Sequence, residues 1–172
     1  MNGQKRSVLL AVAALVVGVV LVVVGIKSWP SNDEEAIANK LAKLAEAIAV
    51  TEPENPVMRL TRLRREFEEI FEEDARVSIP EIRQSARGRK ELAELGSRAT
   101  VLYRTLTINF TGQDTVVDPQ RRTARTTVTA KLEGSRGAND LRWDEREVRF
   151  DWSRESGDWL ITNVWVKPEE GR

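Results

Sequence analysis

The sequence predicts an α+β domain carried behind one hydrophobic N-terminal helix. Three features predict it. An uninterrupted apolar run lies near the start, two amphipathic stretches with a helical period follow, and the period changes to two from about Thr100.

Val8 to Ile26 reads VLLAVAALVVGVVLVVVGI, nineteen positions without a polar side chain. As a helix rising ~1.5 Å per residue, such a run approaches the ~30 Å hydrocarbon thickness of a bilayer. A cleavable signal peptide is the competing reading. Its apolar core is usually shorter, about 7–15 residues, and ends at a small-residue site, for which Val23-Val24-Gly25 is a weak match. Lys5 and Arg6 precede the run, while Asp33, Glu34 and Glu35 follow soon after it. The positive-inside rule therefore predicts a cytoplasmic tail (1–7), a transmembrane helix (8–26) and an exported domain. Trp29 sits where an interfacial aromatic belongs. Ala11, Ala14, Gly18 and Gly25 form a small-residue stripe suited to a helix–helix contact in the membrane.

A short linker (27–32) leads to the domain, predicted over 33–167 with a tail at 168–172. Ser31 and Glu34 have capping-box spacing, and Ile37, Leu41, Leu44 and Ile48 recur on one helical face. Asn55 and Pro56 then read as the cap and first residue of a second helix, with Leu60, Leu63, Phe67 and Ile70 or Phe71 as its stripe. Its arginines (Arg59, Arg62, Arg64, Arg65) precede its glutamates, against the helix dipole, and read as a solvated face with i,i+4 pairs. Ala75 to Ile79 alternates as a short strand before Pro80, and Gly88 to Leu95 reads as a third helix closed by Gly96.

Four long strands follow. The first puts Leu102, Leu106, Ile108 and Phe110 on one parity and bulges at Gly112; Asp118 to Arg121 is the turn. The second places Ala124, Thr126, Val128, Ala130 and Leu132 on one face, and the third Val148, Phe150 and Trp152. The last, from Trp159 to Val166, is apolar on both parities. Either a second protein surface covers one side, which marks Trp165 and Val166 as a candidate interface, or a bulge turns one set back into the core.

The chain has no cysteine and no histidine. These absences exclude disulfides, thiolate metal sites and the commonest general base and zinc ligand. No metal or cofactor motif is present, so no cofactor is expected. With the residues flanking the apolar run set aside the remainder is mildly acidic, which argues against nucleic acid as a partner.

The order helix, helix, short strand, helix, long antiparallel strands, with the ending Gly157-Asp158-Trp159-Leu160-Ile161-Thr162-Asn163-Val164, resembles the nuclear transport factor two–like superfamily (cystatin-like cone, SnoaL-like) over about residues 33–167. The resemblance implies a cone-shaped domain, about three helices packed on a curved, mainly antiparallel sheet. It also implies a conical pocket, for which Leu44, Leu63, Phe67, Phe110, Phe150, Trp152 and Trp159 are the candidate lining; either they take a small apolar ligand or the large side chains simply fill the space. Some members of the superfamily are isomerases or dehydratases. The isomerase type needs a carboxylate base and a tyrosine or protonated acid at the oxyanion, and the dehydratase type needs histidine. Tyr103, the single tyrosine, has the parity opposite to Leu106 and is expected to point away from the pocket. Asp144, on the inward parity of the third long strand, lies near its end. These residues assemble no acid–base pair, and the expectation is a non-enzymatic module. A tail, one span and an exported cone resemble bacterial envelope assembly proteins, such as the inner-membrane scaffold of type four secretion systems and accessory proteins of mycobacterial lipid-import complexes. That likeness implies the cytoplasmic membrane as location, with lipid bilayer, self-association or an envelope protein as partners.

Overall fold

The computed structural model describes residues 32–52, 54–79, 84–137 and 140–168. The span expected at 8–26, with Ala11, Ala14, Gly18 and Gly25, lies outside them; among the described residues no helix is long and apolar enough to cross a membrane.

Helix α1 (Asn32–Ile48) buries Ile37, Leu41, Leu44 and Ala47, its period-3.6 stripe. Helix α2 (Pro56–Ile70) starts as its sequence predicts, with the Asn55 side chain accepting from the Val57 amide and Pro56 in the first turn. It ends at Ile70 because Phe71 is already extended, so the chain enters β1 (Phe71–Ile79) without a loop. Glu72 and Glu73 were expected toward the end of this helix, with the strand beginning only at Ala75. The glutamates there oppose a helix C-terminus and lose nothing in a strand.

Strand β2 (Gln84–Arg87) was not anticipated from sequence; it pairs antiparallel with β1. Helix α3 (Gly88–Ser97) begins at Gly88, whose φ of +81° is left-handed, and runs through Gly96 rather than stopping at it. A second departure comes at Ala99–Leu102, a helical turn (α4) where the first long strand was expected to begin; Leu102 is 54% exposed and belongs to no inward face.

The long strands are β3 (Thr105–Asp118), β4 (Thr123–Ser135), β5 (Leu141–Ser153) and β6 (Leu160–Val166). With β1 and β2 they make one six-stranded sheet in the order β2-β1-β6-β5-β4-β3, in which β1 and β6 run parallel and the other pairs antiparallel. The fold is thus α+β, with the helices on a mixed sheet. Strand β3 bulges between Thr111 and Asp114, where Gly112 takes φ +62°, as its sequence predicts.

A second bulge resolves the two-sided last strand. Asp151 pairs with Asn163, but Trp152 pairs with Ile161, so Thr162 is an extra residue on β6; its hydroxyl donates to the Asp151 carbonyl (3.0 Å). The parity flips there, and Ile161, Val164 and Val166 all turn inward. Val166 packs against the core, and the bulge is the alternative by which one strand carries apolar residues of both parities. Trp165 remains on the other face, paired with Arg149, whose guanidinium lies 5.5 Å from its ring centroid.

The arginine face of α2 also departs from expectation. Arg59 is 1% exposed. It donates to the carbonyls of Ile48 (2.6 Å) and Ala49 (3.0 Å), at the end of α1, and of Gly96 (3.1 Å), at the end of α3. These carbonyls stand at helix C-terminal ends, which lack intrahelical donors. Glu54 sits 3.5 Å from Arg59 and takes two hydrogen bonds from Arg62 (3.2 and 2.9 Å). Of the expected i,i+4 pairs, Arg62–Glu66 forms (2.9 Å); Arg64 instead reaches Glu94 and Glu69 reaches Lys43.

The paired hydrogen bonds from Arg62, joined by the charges of Arg62 and Arg59 and opposed by partial burial, hold the Glu54 carboxyl below its ordinary 4.5. A group depressed in the folded state stabilises fully above its unfolded pKa and loses that contribution as pH falls through its folded value. Urea unfolding should therefore show Glu54→Gln less stable than wild type by about 1 kcal/mol at neutral pH, a gap that narrows below the ordinary carboxyl value and closes as pH falls through the lowered folded-state one. A gap independent of pH would mean that the ion pairing is not its source.

Candidate ligand pocket

Between α1 and the inner face of the sheet lies an open cavity of about 430 Å³. Leu44 and Ile48 form its helical wall. Phe71, Val77 and Ile79 of β1, Ile108 and Phe110 of β3, Ala130 and Leu132 of β4, Val148 and Phe150 of β5, and Val164 and Val166 of β6 form the rest. The strands supply these residues because their inward parity is apolar. Ile108, Leu132 and Asp144 stand in one cross-strand row, and Phe110, Ala130 and Arg146 in the next.

Beneath the cavity the cone is filled. Phe150 is buried and meets Phe110 edge-on, with centroids 5.7 Å apart; Trp152 lies beyond it at 6.1 Å. The Trp152 indole N–H donates to Thr126 (3.1 Å), and the Thr126 hydroxyl shares a hydrogen bond with Thr115 (3.0 Å). That network meets the polar needs of a fully buried threonine and indole.

Of the seven residues expected to line the pocket, Leu44, Phe110 and Phe150 do so. Leu63, Phe67, Trp152 and Trp159 are core instead, buried but not on the cavity wall. Phe67 stacks edge-on against Phe71 at 5.0 Å, and Trp159 lies under Arg154 at 5.9 Å. Large aromatics were natural candidates for lining, but they fill the narrow end, while medium-sized aliphatics leave the space. Val166 joins the wall through the β6 bulge.

Two charged residues complete the lining, and sequence reasoning did not place them together. Asp144 and Arg146 both point inward from β5, with Arg146 Nε donating to both carboxylate oxygens (2.9 and 3.0 Å). Their signal was available: they continue the inward parity of Val148, Phe150 and Trp152. Tyr103 also departs from expectation. It precedes β3 rather than lying in it, and its ring fills the space over Gly134, where a Cβ would come within 2.7 Å. It lies on the inner side of the sheet but not on the cavity wall. The described residues contain no cluster of three or more side chains able to hold a metal ion.

This geometry is shared widely. A protein of unknown function from Mycobacterium tuberculosis, Rv3472, superposes with a TM-score of 0.61 at 16% identity, over 78% of this chain and 74% of its own. A protein with a cystatin-like fold from Novosphingobium aromaticivorans, described as NTF2-like, gives 0.62 at 15% identity, over 81% and 84%. A candidate scytalone dehydratase from the same organism gives 0.61 at 12% identity, over 77% and 81%. At these identities the likeness is one of fold. No curated protein matches the sequence. The family model described as a SnoaL-like domain matches residues 61–164, more than half of the chain. On that match, and with a fold that agrees, the chain belongs to the SnoaL-like domain family.

Proposed function

We propose that the domain binds a small, largely apolar molecule in the cone and does so without chemistry. The observation that carries this reading is the open cavity of about 430 Å³, walled by aliphatic and phenyl groups. Cavities of this size and composition suit small-molecule ligands. Asp144 and Arg146 supply one polar position on the wall, able to orient a ligand that carries both a donor and an acceptor. They are the two titratable side chains on that wall, and they neutralise each other. The chain offers no histidine or cysteine to serve as base or nucleophile.

The apolar stretch from Val8 to Ile26 supports a second element of the reading: the domain is tethered to a bacterial cytoplasmic membrane and exported. A tether would keep the pocket close to a source of apolar molecules. An envelope assembly role is weaker than the sequence suggests, since the bulge in β6 supplies a core position for Val166.

The test is mass spectrometry of the organic extract of full-length protein purified into amphipol, beside an Ala130→Trp variant whose indole fills the cavity. A near-stoichiometric small apolar molecule that is present in wild type and lost in the variant is the expected result. Identical extracts from the two proteins would sink the proposal.

A further inference from the structure

At the end of the sheet where β4 gives way to β5, three segments come together. The Arg104 amide donates to the Ser135 carbonyl (2.7 Å), the Arg136 guanidinium lies 5.5 Å from the Tyr103 ring centroid, and Ser135 pairs with both Thr105 and Leu141. Residues 98–104, 134–137 and 140–143 therefore share one tip. Four exposed large apolar side chains belong to these segments: Val101 at 72% and Leu102 at 54% on α4, and Leu141 at 74% and Trp143 at 69% on the outward parity of β5.

The same tip carries Arg98, Arg104, Arg136 and Arg142 against Asp140, in a chain with no net charge; Glu133, across from Trp143, is paired with Lys131 (2.7 Å). Arg142 pairs with Asp140 (2.9 Å); none of Arg98, Arg104 and Arg136 is ion-paired to a described residue. Exposed aliphatics and a tryptophan on segments with this excess of arginine are the wrong composition for contact with water. They are the right one for the interface of an anionic bilayer, where the apolar side chains enter the headgroup boundary and the guanidinium groups meet phosphate.

We propose that this tip docks on the surface of a bilayer containing anionic lipid. Charge complementarity selects lipid over a second copy of the chain, because pairing two such tips would oppose like charges. Arg142 is two residues from Asp144 on β5, so docking would also bring the bilayer beside the cavity wall. The docking argument itself stands on the tip alone, whatever the cavity holds.

Because the chain has no cysteine, a single introduced thiol takes a spin label uniquely. Full-length protein labelled at Leu141→Cys, or at Ser156→Cys in the exposed β5–β6 turn, would be placed in nanodiscs of phosphatidylcholine alone or with about 30% phosphatidylglycerol. Power saturation by oxygen and by a water-soluble nickel chelate then reads depth. With phosphatidylglycerol the Leu141→Cys label should become oxygen-accessible and nickel-protected, while the Ser156→Cys label stays aqueous. Reversing Arg98, Arg104 and Arg136 to Glu should lower the docked population roughly a hundredfold. If that variant melts early, about 0.5 M salt on the unsubstituted tip should release the label instead, by screening. A Leu141→Cys label that remains aqueous in anionic discs overturns the proposal. So does spin–spin broadening that follows protein concentration, which would assign the tip to self-association.

Discussion

Replacing Arg59 with methionine is expected to destabilise the protein by about 3–5 kcal/mol, lowering its melting temperature by roughly 10–20 °C. Methionine keeps much of the buried volume, so the loss isolates the guanidinium's hydrogen bonds. Those bonds join three places that the chain connects only indirectly: the end of α1, the start of α2 and the end of α3. Without them the carbonyls of Ile48, Ala49 and Gly96 lose their donors in a part-buried setting, and Glu54 loses one of its two cationic neighbours. Each buried group left unsatisfied costs about 1–3 kcal/mol, so the sum approaches a large share of a typical domain's stability. Arg59→Lys should recover only part of the loss, since one ammonium cannot reproduce a fork that reaches three carbonyls. Glu54→Gln should cost less, because Glu54 keeps 29% of its side chain exposed and water can replace its pairing. Thermal unfolding followed by tryptophan emission measures all three. An Arg59→Met protein that melts within about 2 °C of wild type would show that the carbonyls find water and that the clamp contributes little.

Arg59 also marks where sequence reading stops. Periodicity located α1, α2 and α3, the Asn55-Pro56 start of α2, the Gly112 bulge and the inward parity of β4 and β5, because each depends on residues close in sequence. Arg59 stands four residues before Leu63, on the buried stripe of α2 and unlike Arg62 or Arg64, so its inward position was legible; the carbonyls that make its burial tolerable are 10, 11 and 37 residues away and were not. Strand β2 was missed for the same reason: four residues, QSAR, have no pattern of their own and become a strand by pairing with β1. The last strand is an intermediate case. Its two apolar parities were visible, but a bulge and a covered second face give the same pattern; the choice rests on the pairing of Trp152 with Ile161. Size misled the choice of pocket residues. Hydrophobic pattern tells which side chains face inward, but not which of them leave a void, and here Trp152 and Phe67 close space that Ala130, Val148 and Val166 leave open.

Ala130→Trp is the substitution expected to affect binding most. Ala130 stands mid-strand on β4 between Phe110 and Arg146, and its small side chain leaves room at the centre of the wall. An indole there would take a large part of the 430 Å³ and meet Phe110 and Phe150. An apolar ligand gains mostly from the area it hides, so loss of its space should weaken binding by about 100-fold or more, near 3 kcal/mol. Stability moves the other way under this reading. Filling an open cavity adds contacts in a strand that favours aromatic residues, so the melting temperature should hold or rise. A closed, well-packed core would instead be strained by the added ring at a cost of about 1–3 kcal/mol. Titration with the ligand found in the wild-type extract, beside thermal unfolding of both proteins, separates the cases. Lost affinity with a retained melting point supports an open binding cone. Retained affinity would move the ligand elsewhere on the molecule, and a lowered melting point would show that these aliphatics are packed against one another rather than held apart for a guest.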